Sequence, residues 1–161
     1  MVLPGGQQTR IAAIDTYDGS LDEACAPLSV TIRLEDDIDV SRGDLICLPG
    51  DTPTVARDLE ATICWMSERP LRAGDRLTIK HTTRRVPAIV VALVDRVDVE
   101  TLERDQDVDA FALNDIGRVR IRTSLPLMCD EYRQNRATGG FILIDDASNG
   151  TVAAGMIEDA S

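Results

Sequence analysis

The chain has 161 residues, of which 43% are hydrophobic and 28% charged, a composition that fits one ordinary globular domain or two small ones. Its 17 basic residues against 28 acidic ones give a formal net charge of −11, which makes nucleic acid an unfavourable partner. No apolar run reaches the ~20 residues that span a bilayer, and the N-terminus has no signal-peptide pattern, so we predict a cytoplasmic protein without membrane contact.

Alternation of apolar and polar side chains predicts that the chain is all-β, because successive side chains of a strand point to opposite faces. Before residue 50, strands are predicted near residues 10–15, 28–35 and 44–48. After it, residues 59–65 and 119–125 alternate most clearly, and Val119, Ile121, Thr123 and Leu125 are predicted to share one face. Residues 86–99 are apolar on both faces, as in a strand inside a closed barrel or between two layers.

A domain boundary is predicted at residues 49–53 (PGDTP), whose composition is that of a linker. The strands before it are fewer than the five or so of a small closed barrel, so residues 1–50 are predicted to form an incomplete barrel. Residues 54–158 supply six or seven strands, which is enough to close a barrel.

Turn signals separate the predicted strands. Asn149-Gly150 lies between two apolar runs and predicts a β-hairpin with a type I′ turn, in which both central residues have positive φ. Nothing long has a helical pattern. Residues 98–104 and 130–136 could each form a turn or two of helix, with Asp98 and Asp130 as caps.

No catalytic, cofactor-binding or metal-binding residue is predicted. A phosphate-binding loop needs a lysine after glycine, but the sole lysine, Lys80, follows Ile79. The only histidine, His81, ends a strand on its apolar side, where a hydrogen bond to a backbone carbonyl is a simpler interpretation than a general base. The four cysteines are dispersed, which disfavours disulfides and zinc, and the acidic run at residues 35–39 lacks the spacing of a calcium loop.

Three arginines, Arg118, Arg120 and Arg122, line one face of a predicted strand and are the strongest binding-like feature. Pairing with acidic side chains on a neighbouring strand is the favoured interpretation. A docking surface is the alternative.

Seven segments together resemble the large, GTP-hydrolysing subunit of bacterial sulfate adenylyltransferase. They are residues 2–6 (VLPGG), 30–44 (VTIRLEDDIDVSRGD), 64–66 (CWM), 96–103 (RVDVETLE), 113–117 (LNDIG), 135–145 (NRATGGFILID) and 149–157 (NGTVAAGMI). The resemblance implies a truncated translation-factor-type barrel, domain two, followed by a complete barrel of the elongation factor Tu C-terminal type, domain three. Asn135, Arg136 and Thr138, which lie in the family-specific NRATG segment, join the three arginines as candidate interface residues.

The resemblance also implies a function in sulfate assimilation and cysteine biosynthesis, where GTP hydrolysis is coupled to synthesis of adenylyl sulfate from ATP and sulfate. GTP and Mg²⁺ are expected on a nucleotide-binding domain that these residues do not include, and the expected partners are that GTPase domain and the catalytic small subunit. In some members of the family an adenylyl-sulfate kinase domain follows. Two alternatives stay open: an RNA-binding barrel pair like that of translation factors, and an unrelated small enzyme on a β-barrel.

Overall fold

A computed structural model describes all 161 residues, which form two compact units, Met1–Asp51 and Thr52–Ser161. The division lies inside the predicted PGDTP linker. The single helix has four residues, and no helix of the structure has the length and apolar character that crossing a membrane requires.

The first unit contains five short strands in two separate antiparallel sheets. They are β1 (Val2–Leu3), β2 (Ile11–Thr16), β3 (Gly19–Leu21), β4 (Thr31–Leu34) and β5 (Leu45–Ile46). β1 pairs with β5, and β2 lies between β3 and β4. Three of the five strands correspond to the predicted ones. β1 and β3 were not predicted, because two or three residues are too few to display an alternation.

The sheets of the first unit do not close into a barrel. Val2 and Leu3 are its only buried apolar side chains, whereas Ile11, Leu28 and Ile32 are exposed. The prediction of an incomplete barrel is therefore confirmed.

The second unit contains seven strands and one short helix. They are β6 (Thr54–Trp65), β7 (Arg76–His81), β8 (Arg84–Val97), β9 (Arg104–Asp105), β10 (Ile116–Cys129), α1 (Arg136–Gly139), β11 (Gly140–Ile144) and β12 (Thr151–Ala160). Six strands pair antiparallel in the order β10-β6-β12-β11-β7-β8, and β8 pairs with β10 to close the barrel. β9 pairs with the last two residues of β8, Arg96 and Val97. Closure leaves no unpaired edge among the six strands.

One set of alternating side chains fills the barrel. Leu59, Ala61, Ile63 and Trp65 of β6 all point inward, as the alternation predicts. The Trp65 indole N–H donates to the carbonyl of Arg69 at 2.8 Å, which satisfies its polar atom at the edge of the core. The larger members of the core include Phe111, Leu71, Ile79, Ile121, Leu127, Leu143 and Ile157.

Two predictions about side-chain direction were wrong. Leu125 was expected to share a face with Val119 and Ile121, but the pairing of β10 with β6 shifts register between Arg122 and Leu127, so Leu125 is exposed and Leu127 is buried. Residues 86–99 were expected to be apolar and buried on both faces. Only the inward side of β8 is buried, and Val91 on the other side is exposed. A bulge resets the alternation in a way that sequence period does not reveal.

The hairpin between β11 and β12 is confirmed, but its predicted turn type is wrong. Ile144 pairs with Thr151, so the loop has six residues and not two. Asn149 has φ of 54°, whereas Gly150 does not have positive φ, as a type I′ turn would require. The Asp145 carboxylate accepts hydrogen bonds from the N–H and Oγ–H of Ser148 at 2.9 and 2.7 Å and stabilises the longer loop.

The two predicted caps differ from the observed ones. Asp98 accepts hydrogen bonds from the N–H groups of Glu100 and Thr101, but it caps a turn with no helix after it. The helix α1 is capped by Asn135, whose side chain accepts from the N–H of Ala137. Asp130 instead accepts the hydroxyl hydrogen bond of Thr138.

We predict that Gly155→Ala destabilises the barrel by about 1–3 kcal/mol. A Cβ at Gly155 would lie 2.6 Å from Cε2 and 2.7 Å from Cε1 of Phe141, so the ring would have to move out of its place in the core. Urea denaturation measures the difference. Gly140→Ala is the matched control in the facing strand, because its Cβ meets no atom closer than 3.4 Å. Equal effects of the two substitutions would contradict this assignment.

We predict that the barrel loses stability as pH falls from about 6.5. Burial lowers the pKa of His81, and the hydrogen bond to Thr138 and the charge of Asp130 only partly oppose it. The ring is therefore neutral in the folded state, and the unfolded chain takes up the proton first. Urea denaturation between pH 7.5 and 5 measures the slope. His81→Gln should remove the part of the slope near pH 6, and an unchanged slope would contradict the prediction.

Candidate interface on the barrel wall

The outer face of β10 carries the three predicted arginines. Val119, Ile121 and Thr123 point into the barrel, so Arg118, Arg120 and Arg122 point outward. Their direction follows from the inward burial of their neighbours, as the alternation predicts.

Two acidic side chains of β6 face this row. Asp58 lies directly opposite Arg122 in the register and binds it with both carboxylate oxygens, at 2.7 and 3.1 Å. Glu60 lies diagonally from Arg118 and accepts from its Nη1 at 3.2 Å. The favoured interpretation, pairing across strands, is therefore confirmed for Arg118 and Arg122.

The most buried charge of the wall is Asp95 on β8, which has no exposed side-chain surface. It accepts hydrogen bonds from Nε of Arg118 at 2.7 Å and from Nη1 of Arg104 at 2.8 Å. Burial raises the pKa of Asp95, but the hydrogen bonds from Arg118 and Arg104 outweigh it, so this pKa lies below its usual value. Asp95 thus joins β8, β9 and β10 through one carboxylate.

Arg120 differs from its two neighbours. It is exposed and forms no ion pair, although Glu60 is opposite to it in the register. Beside it is a shallow groove of about 380 Å³ whose lining includes Val91, Asp58 and Asp159. Exposed Val91 among charges of both signs is suited to contact with a protein surface, and Arg120 is the unpaired cation of the row.

Asn135, Arg136 and Thr138 lie elsewhere. The Thr138 hydroxyl donates to Asp130 at 2.5 Å, and its carbonyl is 2.6 Å from Nε2 of His81. Because a carbonyl only accepts, the neutral ring carries its proton on Nε2. The Arg136 guanidinium lies over the Tyr132 ring at 5.9 Å. These contacts hold α1 against the barrel, and the carbonyl-bonded interpretation of His81 is confirmed.

The structure does not bring the two groups of candidate residues together. Arg118 lies near the start of β10, and α1 follows its end. Around the barrel wall, Arg118 pairs with Thr62 of β6, Thr62 with Met156 of β12, and Met156 with Gly140 directly after α1. About three strand spacings of ~4.8 Å therefore separate Arg118 from the end of α1. No ion pair or side-chain hydrogen bond joins Asn135, Arg136 or Thr138 to the arginine row.

The reactive side chains of the barrel are held in unreactive settings. Burial raises the pKa of the Cys129 thiol to about 11, so it stays protonated at neutral pH. His81 is buried and committed to Thr138. All four cysteines are free thiols, and Cys25 is exposed.

Asp95, whose carboxylate joins three strands of the wall, was not among the residues predicted from the sequence. The available signal was a single acidic residue after four apolar ones, Val91 to Val94, in an otherwise apolar strand. A charge in that position is rarely buried without partners, so it points to an ion pair.

The residues that form the closed barrel match a known family. Residues 58–158 match the family described as GTP-eEF1A C-terminal domain-like, and the chain belongs to this family. The whole chain superimposes on part of the crystal structure of Sup35 in complex with GDP, with a TM-score of 0.88, 18% sequence identity, and coverage of 100% of this chain and 40% of that one. At this identity the likeness establishes the fold alone.

Curated relatives confirm the resemblance to the sulfate adenylyltransferase subunit. The bifunctional enzyme CysN/CysC of Mycobacterium tuberculosis is 49% identical over 158 residues, which are 98% of this chain and 26% of the relative. Sulfate adenylyltransferase subunit 1 of Chromobacterium violaceum is 45% identical over 158 residues, 98% of this chain and 33% of the relative. The chain thus spans about a quarter to a third of the length of these relatives.

We predict that Asp95→Asn destabilises the barrel by about 1–3 kcal/mol, since two hydrogen bonds to a buried charge are weakened. Asp105→Asn is the control, because its pair with Arg96 is exposed on both sides and worth less than about 1 kcal/mol. Urea denaturation at pH 7 measures both. The Asp95 contribution is present above the ordinary aspartate pKa of ~3.9 and is lost as pH falls below it, so the two proteins should converge in acid. Equal stability of the wild type and Asp95→Asn at pH 7 would overturn this role.

Proposed function

We propose that the chain is the β-barrel docking and regulatory portion of the GTP-hydrolysing subunit of sulfate adenylyltransferase. It supports GTP-coupled synthesis of adenylyl sulfate from ATP and sulfate, in sulfate assimilation and cysteine biosynthesis. The observation that carries the proposal is 40% identity or more, across nearly the whole chain, to relatives named sulfate adenylyltransferase subunit 1. Residues 1–50 correspond to a truncated domain two and residues 54–158 to domain three.

The residues present do not fit a nucleotide. Lys80 lies within β7, paired with Arg85 of β8 and Ile142 of β11, and not in a glycine-rich loop before a helix. GTP and Mg²⁺ are therefore assigned to a separate nucleotide-binding domain, which is one partner of these barrels. The catalytic small subunit is the other. The free thiols fit a reducing compartment, in keeping with a cytoplasmic protein.

The barrel wall supports a docking function more than RNA binding. Arg118 and Arg122 are engaged by carboxylates, which leaves Arg120 as the one unpaired cation of the row, and the net charge of −11 opposes binding to phosphates. Exposed Arg120 beside its groove is available to a protein partner. The RNA-binding alternative has no observation of its own beyond the shared fold.

We predict that the 161-residue chain binds the sulfate adenylyltransferase small subunit of the same organism and does not bind tRNA. Isothermal titration measures the first, and a gel shift at 50 and 200 mM salt measures the second. Arg120→Glu should weaken small-subunit binding by about tenfold, as expected for loss of one interface charge. Arg72→Glu is the control, because Arg72 is an exposed arginine outside both groups of candidate residues. Salt-sensitive tRNA binding without small-subunit binding would replace the proposal with the RNA-binding alternative.

A further inference from the structure

The turn between β8 and β9 exposes apolar side chains at its tip. In residues 98–103, here named the β8–β9 turn, Val99 is 65% exposed and Leu102 is 76% exposed. Neither belongs to the hydrophobic core. The turn is therefore a protrusion whose apolar groups contribute nothing to packing within the chain.

The turn is nevertheless ordered by its own hydrogen bonds. The Asp98 carboxylate accepts from the N–H groups of Glu100 and Thr101 at 2.8 and 3.0 Å. The Asp98 N–H donates to the carbonyl of Glu103 at 2.9 Å, and the Leu102 N–H donates to the carbonyl of Asp98 at 2.8 Å. These bonds fix the position of the exposed side chains.

Leu102 has φ of 61°, in the left-handed region that glycine and asparagine enter more readily than leucine. A glycine there would relieve the strain and remove an exposed apolar group. Leucine at this position therefore costs the isolated fold both backbone strain and an exposed apolar side chain. Strain retained at an exposed position indicates a role outside the fold, and contact with another molecule accounts for both features.

The base of the turn is held rigidly to the barrel. Arg104, directly after the turn, donates to the buried carboxylate of Asp95, and Arg96 pairs with Asp105 across the β8–β9 ladder. A contact surface that is already ordered loses less entropy when it binds.

A cleft of about 610 Å³ lies against the turn. Its far side is formed by Leu113, Asn114 and Asp115, of which Leu113 is 46% exposed. The protruding Leu102 and the cleft together form a surface with a projection next to a depression. Complementary surfaces of this kind are typical of protein–protein contacts.

The charge of this surface selects its partner. Residues 98–109 contain six acidic residues and one basic residue, Arg104, which is already paired with Asp95. Such a surface repels phosphate backbones, anionic lipid and a second copy of this acidic chain. It is complementary to a protein surface in which lysines or arginines surround an apolar socket.

We infer that the β8–β9 turn and its cleft form a docking site for a basic protein surface, with Leu102 as the apolar anchor. The inference rests on the proposed function for the identity of the partner, which is then the small subunit of sulfate adenylyltransferase. It adds a second contact to the Arg120 groove and names the chemistry that the partner must supply.

The test uses Leu102→Gly in the 161-residue chain, with the small subunit as the titrant. Glycine adopts the positive φ of this position without strain, so the urea midpoint should be unchanged or higher. Small-subunit binding should weaken by about tenfold or more, because the apolar anchor is lost. Leu48→Gly is the matched control, since Leu48 is a leucine of similar exposure, 73%, in the first unit. Weaker binding without a loss of stability would show that Leu102 acts in binding and not in folding.

A second variant, Glu100→Lys, tests the role of charge: it should weaken small-subunit binding and reduce the salt dependence of that binding. Glu131→Lys, at an exposed glutamate that follows β10, is its control. If the wild type binds the small subunit and Leu102→Gly binds equally well, this inference is overturned and the proposed function stands. If the wild type does not bind it, the proposed function fails as well. A wild-type dimer that Leu102→Gly dissociates in light scattering would assign the turn to self-association and overturn the inference.

Discussion

The closing pairing between β8 and β10 is the constraint on which the rest of the second unit depends. It joins the two ends of the six-strand order, so every strand has a neighbour on both sides and the inward residues share one core. The same pairing brings Asp95 of β8 opposite Arg118 of β10. The buried ion pair is therefore a product of closure, and through Arg104 it extends the rigidity of the barrel to β9.

The strands of the barrel were predictable because their burial has a simple period. Leu59 to Trp65 alternates without interruption, and the sequence indicates both the strand and its inward face. Leu125 was misplaced because a bulge between Arg122 and Leu127 interrupts the alternation, and Pro126, whose type marks bulges in strands, was the signal available for it. The turn before Thr151 was misassigned because the Asp145 carboxylate accepts hydrogen bonds from Ser148. These bonds stabilise a six-residue loop in place of the two-residue turn that Asn-Gly favours.

The candidate site was only partly predictable, since its contacts join residues far apart in the chain. The direction of Arg118, Arg120 and Arg122 follows from period two, but the partners Asp58 and Asp95 depend on strand order and register. Which arginine stays free could not be inferred without them. The backbone conformation of Leu102 is equally invisible, because no residue type at that position announces a left-handed φ.

The ion pairs of the wall are formed by arginines and not lysines, so they respond differently to acid and to base. The hydrogen bonds to Asp95 and Asp58 raise the pKa of Arg118 and Arg122 above that of a free guanidinium, so both keep their charge in alkaline solution. Only their carboxylate partners titrate, and they do so in acid. Among changes of pH, therefore, added base leaves these ion pairs charged, whereas acid neutralises their carboxylates and weakens them.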